Sequence, residues 1–427
     1  MQEEYEHDGG LYPDLEDPMF LPKLMRKKEF QESKQKSIKD QMAEGIDKCR
    51  STEDFELSSV QKFVNRLLSP RTPYRSALLF HGVGVGKTCA AVTVAESFLA
   101  EYPSKKIFII APPNIQEGFK RTIFDRDALT IGVKGSGTPN HHRGCTDDIY
   151  LQLTSSMTEQ NKATIETKVA KAIKSRYEFF GYTSFYNHIV NLLASLPKKG
   201  ATPEQLEDMK RRILRQEFSN RVLIVDEAHN LRDNPMEAEV DAADDTPGDS
   251  ADSKAGKKLT PFLKEVLEVA EGTTLLLMTA TPMYNSFVEI VFLMNLLLTN
   301  DKFAKLRVDE IFDVRGQKFA DEAGKRLLGK VVSQYVSFMR GENPLTFPIR
   351  IDPITPSRVT AWPTTSPKGE PITEEERANC IRLPCITGSF SEETAALYAA
   401  QSDAIVGSAE GLGITNMDTL VQAGNWV

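Results

Sequence analysis

The chain is poor in several things at once, and each shortage closes off a class. Of its 427 residues five are cysteines, Cys49, Cys89, Cys145, Cys380 and Cys385. They are scattered and odd in number, which excludes a disulfide framework and points to a reducing compartment. No apolar run approaches the roughly 18 residues of a membrane helix; the nearest, Ile290 to Leu298, is short and broken by Asn295. The opening Met-Gln-Glu-Glu-Tyr-Glu-His-Asp lacks the basic and apolar parts of a secretory leader, so a soluble intracellular protein that does not engage membranes is expected. Positive charge is short too: 52 basic against 60 acidic residues leave a net charge of −8. That disfavours a coat on nucleic acid but permits a local basic groove. Cys380 and Cys385 have no second pair at zinc spacing, so no structural metal is expected.

What is present is ordinary globular material, 40% hydrophobic and 26% charged, long enough for two or three domains. Residues 1–17 carry seven acids and no lysine or arginine, and Lys23 to Lys39 then carries seven basic residues. Residues 1–50 are therefore expected to be a polar arm, a mobile tail followed by a solvated helix. From Phe55 short apolar runs alternate with helical stretches: Ala77–Phe80, Ile107–Ile110, Arg221–Val225 and Thr274–Met278. Such runs suit strands buried on both faces of a parallel sheet, and predict an α/β domain over 51–335. Two insertions interrupt it: 132–147 reads as an exposed loop, and 235–258, with seven acids between Glu237 and Asp252, as disordered. Beyond 336, seven prolines from Pro344 to Pro371 predict an extended connector, with helical patterning returning over Glu392 to Ala404.

Three segments carry chemistry. After the first run comes His81-Gly-Val-Gly-Val-Gly-Lys-Thr88 and an amphipathic helix. Glycines let successive N–H groups and the helix start face a phosphate. Gly82, Gly84, Val85, Gly86, Lys87 and Thr88 are thus candidates for binding ATP, with Lys87 reaching the β and γ phosphates and Thr88 ligating Mg2+. His81 departs from the strict pattern, which asks for glycine there. Second, Val222–Val225 runs into Asp226-Glu-Ala-His229, placing two acids at a strand's carboxyl end. Hydrolysis needs one carboxylate for hydrated Mg2+ and a group to activate water; Asp226 fits the first role and Glu227 the second. Third, Thr279-Ala280-Thr281 ends a strand with two hydroxyls, and with His229 could couple nucleotide state to the rest of the site.

These strings resemble motifs I, II and III of superfamily 2 helicase-like ATPases. Phe55 to Val64, Thr72-Pro-Tyr74, His229-Asn-Leu-Arg232, Thr281 to Ser286 and Arg340 to Pro348 look more narrowly like helicases of nucleocytoplasmic large DNA viruses. That group is related to the poxvirus early transcription factor small subunit and viral nucleoside triphosphatase, and more distantly to Swi/Snf-type DNA translocases. The resemblance implies a RecA-like lobe over 51–335, with a connector and the start of a second RecA-like lobe over 336–427. It implies that Gln61 reads adenine, and that Ala111 with Pro112 and Thr183 with Ser184 touch a nucleic-acid backbone. It further implies an ATP-driven motor on DNA rather than RNA, working with viral RNA polymerase or a transcription factor subunit in the host cytoplasm, viral factory or virion. No Q-x-x-R-x-x-R string of the second lobe follows before Val427, so a second reading stands beside the first: an ATP-binding scaffold subunit with weak turnover.

Overall fold

The computed structural model describes residues 11–33, 55–133, 137–197, 202–231, 251–284, 286–339, 371–374 and 391–406. The chain divides into two units, Met1–Phe347 and Pro348–Val427. In the second, the helix Glu392–Val406 begins after Ser391, whose hydroxyl accepts from the Thr394 amide at 3.2 Å. The expected second-lobe entry at Arg340 to Pro348 lies outside the described residues.

Six parallel strands make the sheet of the first unit: β1 (Ser76–His81), β2 (Ile107–Ile110), β3 (Tyr177–Phe180), β4 (Val222–Val225), β5 (Thr274–Thr279) and β6 (Val336–Met339), in the order β6-β1-β5-β4-β2-β3. Alternate residues point to opposite faces, as strand geometry requires. Leu78, Phe108, Leu223 and Leu275 enter one core, and Leu79, Ile109, Ile224 and Leu276 the other. Helices cover both faces, including Tyr182–Leu193 and Ala251–Val269 on the first and Lys87–Glu101 and Pro113–Ile123 on the second. This is the RecA-like α/β lobe expected, with the β5 strand inserted between the glycine-loop strand β1 and the acidic strand β4. The runs read as strands form the four inner strands. The two edges, Tyr177-Glu-Phe-Phe180 and Val336-Ser-Phe-Met339, lack an unbroken apolar run because an edge strand is less fully covered; Phe338 is 62% exposed.

Five expectations are corrected. Within the expected arm, residues 11–33 are not a mobile tail: Phe20, Leu24 and Phe30 bury with Leu67 and Tyr74, and the Tyr74 hydroxyl donates to the Pro13 carbonyl at 2.7 Å. Val336–Met339, expected to open the connector, pairs with β1 and completes the sheet. Of the expected disordered stretch 235–258, residues 251–258 are the first two turns of a helix that buries Ser253 and Gly256. The 132–147 insertion is anchored: His141–His142 pairs antiparallel with Leu129–Thr130, and Asn140, His142 and Thr146 are buried. Finally, Cys89 and Cys145, 56 residues apart, form a disulfide. Scattered spacing could not show that pairing, because the fold alone brings the insertion to the helix Lys87–Glu101. None of the described helices is long and apolar enough to cross a membrane.

Candidate functional site

β1 ends at His81, the loop 82–86 follows, and a helix starts at Lys87. Gly84 and Gly86 have φ of 77° and 82°, the left-handed region that favours glycine. At Gly86 a Cβ would also stand 2.4 Å from Gln61 Nε2. That nitrogen donates to the Gly86 carbonyl at 3.1 Å, while Gln61 Oε1 accepts from the Ser58 amide at 2.8 Å in a capping box. Gln61 is therefore committed to the loop, keeping one N–H and one lone pair for another partner. Lys87 Nζ donates to the His81 carbonyl at 2.9 Å. The His81 ring itself is buried and meets Ser337 Oγ of β6 at 2.9 Å. Burial, with the Lys87 charge, pushes its pKa down to about 4, so the ring is neutral at pH 7. The departure from glycine at this position thus fastens the loop's entry to the sheet edge.

β4 delivers Asp226 and Glu227. Asp226 is buried, and burial together with the Glu227 charge pushes its pKa up to about 6. Its Oδ1 accepts from the Glu227 amide at 2.9 Å. Glu227 sits at φ 51° and ψ 45°, a left-handed conformation that costs a non-glycine residue about 1–3 kcal/mol. Its surroundings hold it there: the Tyr182 hydroxyl donates to the carbonyls of both Asp226 and Glu227, and Asn230 Nδ2 donates to that of Glu227 at 3.1 Å. Behind this turn, Gly256 passes so close that a Cβ would stand 2.0 Å from the Asn230 carbonyl oxygen. Tyr182 and Gly256 are supporting residues that sequence reasoning missed, since their contacts join segments distant in the chain and leave no local signal.

The third segment lies against the second. His229 Nδ1 lies 2.9 Å from Thr279 Oγ1, 3.4 Å from Thr281 Oγ1 and 3.3 Å from Glu227 Oε2. The Thr281 amide donates to Thr279 Oγ1 at 3.0 Å, carrying the chain through Ala280, and the His229 ring stacks on Tyr284. One imidazole therefore joins the acid turn to the end of β5.

A cavity of about 650 Å³ opens over the glycine loop, within the range of small-molecule sites. It is lined by Gly82, Gly84, Gly86, Lys87, Thr88, Asp226 and Glu227 among the expected residues. Val85 and Gln61 stand outside its lining. Its other walls include Phe55, Arg121, Thr122, Asp125 and Ala128, and the segment His142 to Cys145 of the insertion. Thr88 and Asp226 offer the hard oxygen donors that suit Mg2+, and a buried carboxylate with an elevated pKa gains from a cation.

The other expected contacts also come together, because β2 and β3 are paired and Gly181 lies against Pro113. Thr183 and Ser184 are exposed, with Ser184 Oγ accepting from the Gly181 amide at 2.8 Å. Ala111 and Pro112 are buried, and Gln116 covers the Ala111 carbonyl at 2.9 Å. The accessible part of that segment is instead the helix start at Pro113.

A parallel sheet bearing a glycine loop on β1 and paired acids on β4 defines a helicase-type ATPase lobe. The chain belongs to the family described as the type III restriction enzyme res subunit, which matches residues 32–284. It is 28% identical over 319 residues to a protein of Acanthamoeba polyphaga mimivirus named as a candidate ATP-dependent RNA helicase, covering 70% of this chain and 24% of that one. It is 23% identical over 413 residues to an early transcription factor large subunit homolog of African swine fever virus, covering 80% of this chain and 35% of that one. The chain thus spans about a quarter to a third of these relatives' length. Among solved structures it is similar to the Sulfolobus solfataricus SWI2/SNF2 ATPase core in complex with dsDNA, at 14% identity and a TM-score of 0.33 over 84% of this chain and 55% of that one.

Proposed function

We propose that this lobe binds and hydrolyses ATP as the motor of a superfamily 2 helicase or translocase. The observation that carries the reading is the single cavity shared by Lys87 and Thr88 on one side and Asp226 and Glu227 on the other. Loop amides and Lys87 hold the phosphates, Lys87 leaving the His81 carbonyl to do so. Thr88 and Asp226 would hold Mg2+, which when bound offsets phosphate charge. Glu227 orients and deprotonates the attacking water, its fixed backbone turn aiming the carboxylate. His229 lies against Glu227 Oε2 and the two threonine hydroxyls, so a change at Glu227 reaches the end of β5. Phe55, exposed within the cavity, offers a ring face for the base, and Gln61 keeps a donor and an acceptor for its edge.

The track is proposed to be nucleic acid, touching Pro113, Thr183 and Ser184 at the paired ends of β2 and β3. DNA is favoured over RNA by the resemblance to Swi/Snf-type translocases, although the mimivirus relative carries an RNA helicase name. The African swine fever virus relative supports work beside a viral transcription complex. The test is steady-state ATP hydrolysis by the 427-residue chain with and without single- and double-stranded DNA and RNA, beside Glu227→Gln. Turnover that nucleic acid stimulates and Glu227→Gln abolishes establishes the motor. Nucleotide binding without turnover favours the scaffold reading instead.

A further inference from the structure

The 132–147 insertion reaches the cavity that the three motifs define. Arg143, Gly144 and Cys145 line it directly opposite no motif of their own, yet they are firmly held. Cys145 is bonded to Cys89, the residue after Thr88, with Cα atoms 5.6 Å apart. His142 stacks on Phe124 at 4.4 Å and accepts from the Asp125 amide at 3.0 Å, and Thr146 Oγ1 donates to the Ile123 carbonyl at 2.6 Å. The Arg143 amide donates to the Ala128 carbonyl at 3.2 Å. Gly144 fits only because it lacks a side chain, since a Cβ would stand 2.9 Å from the His142 ring.

The two arginines lining the cavity differ in their commitments. Arg121 already pairs with Asp125 at 3.4 Å and with Asp127 at 3.8 Å. Arg143 is exposed, and its guanidinium forms no ion pair among the described residues. A fixed loop thus presents an uncompensated planar cation to a cavity whose motif side is built for an anion.

We propose that Arg143 is a further nucleotide-binding residue, pairing with the α-phosphate of the bound nucleotide. The proposal rests on the cavity being the ATP site. The α-phosphate is assigned by position on the helix. Lys87 and Thr88 face the β and γ phosphates and the metal, and each residue further along turns about 100° around the axis. With β and γ so assigned, the α-phosphate is left for a cation tied to the next residue, Cys89, and Arg143, two residues from Cys145, starts within about 8 Å of that tie. A donor fork there meets the phosphate that ATP and ADP share.

Calorimetric binding of ATP and of ADP with Mg2+ to the full chain tests this, comparing wild type with Arg143→Ala, Arg143→Lys and Lys87→Ala. Arg143→Ala is expected to weaken ATP and ADP alike by about 10-fold, the worth of a charge-assisted contact, with Arg143→Lys recovering part of the loss. An unchanged melting temperature in Arg143→Ala shows that the fold is intact. Wild-type affinity in Arg143→Ala while Lys87→Ala loses binding overturns the proposal and leaves the site standing. A loss confined to ATP also overturns it, because the contact would then be with the γ-phosphate. No binding by wild type overturns both the proposal and the site beneath it.

Discussion

The cavity has two halves built on different principles. The half formed by Gly82 to Thr88, Asp226 and Glu227 comes from contiguous strings at the carboxyl ends of two parallel strands, β1 and β4, that flank β5, where the sheet alone brings them together. The half formed by Phe55, Arg121 to Ala128 and Arg143 to Cys145 comes from segments far apart in the chain, assembled by a disulfide, a ring stack and buried polar contacts. Chemistry sits in the first half and fit in the second. Replacing Glu227 in the first should change rate; replacing a group in the second should change affinity or stability with the chemical groups intact.

The largest expected effect is in the chemical half. Glu227→Gln keeps the shape and backbone hydrogen bonds of the turn but removes the proposed base, so hydrolysis should fall by about 10²- to 10⁴-fold with ATP affinity nearly unchanged. A parallel loss of affinity would show that Glu227 holds the turn rather than activating water. Next comes the wall. A tie across 56 residues restricts the unfolded chain by about 4 kcal/mol in the chain-entropy picture. Cys145→Ser should therefore lower the unfolding midpoint in urea under oxidising conditions and do nothing under strong reductant. Equal midpoints in both conditions would show that the other anchors suffice. Smaller again is the support behind the acid turn. Gly256→Ala should cost about 1–3 kcal/mol, because its Cβ would meet the Asn230 carbonyl at 2.0 Å. Gly118→Ala, where a Cβ meets nothing within 4 Å and the position is helical, should be neutral or stabilising. Thermal denaturation of the pair separates crowding from ordinary helix propensity.

The same contrast sets what the sequence could disclose. The inner strands are legible because burial on both faces demands unbroken apolar runs, and the motifs because phosphate and acid chemistry need particular residues in sequence. Gln61 could be singled out but not its bond to Gly86, which depends on a helix arriving 25 residues upstream. The insertion looked exposed because glycine, serine and asparagine favour loops, yet Asn140 is wholly buried, donating to Ser156 and Glu159 carbonyls at 2.7 Å each. A polar residue satisfied by distant backbone leaves no local signal. Residues 251–258 misled for a similar reason: Lys254, Gly256 and two further lysines match a disordered composition, but the glycine is what lets the helix reach Asn230.

The smallest expected effect asks whether the chemical half is stable for its own sake. Asp226 titrates near 6 in the folded chain against 3.8 when unperturbed, because burial and Glu227 disfavour its charge. A raised carboxyl pKa means that the folded state binds the proton more tightly than the unfolded state. The ionised group therefore costs stability above pH 6, and the cost fades as pH falls from 6 towards 4. By linkage the cost is about 3 kcal/mol, and burying the replacement amide in Asp226→Asn takes back about 2 of it. The ligand-free variant should thus be about 1 kcal/mol more stable than wild type at pH 7.5 and lose that advantage by pH 4. Urea midpoints across that range measure it. A variant less stable at every pH would mean that Asp226 contributes to the fold of the turn. The expected crossover would mean that the buried carboxylate is kept against stability, as the proposed cation-binding role with Thr88 requires.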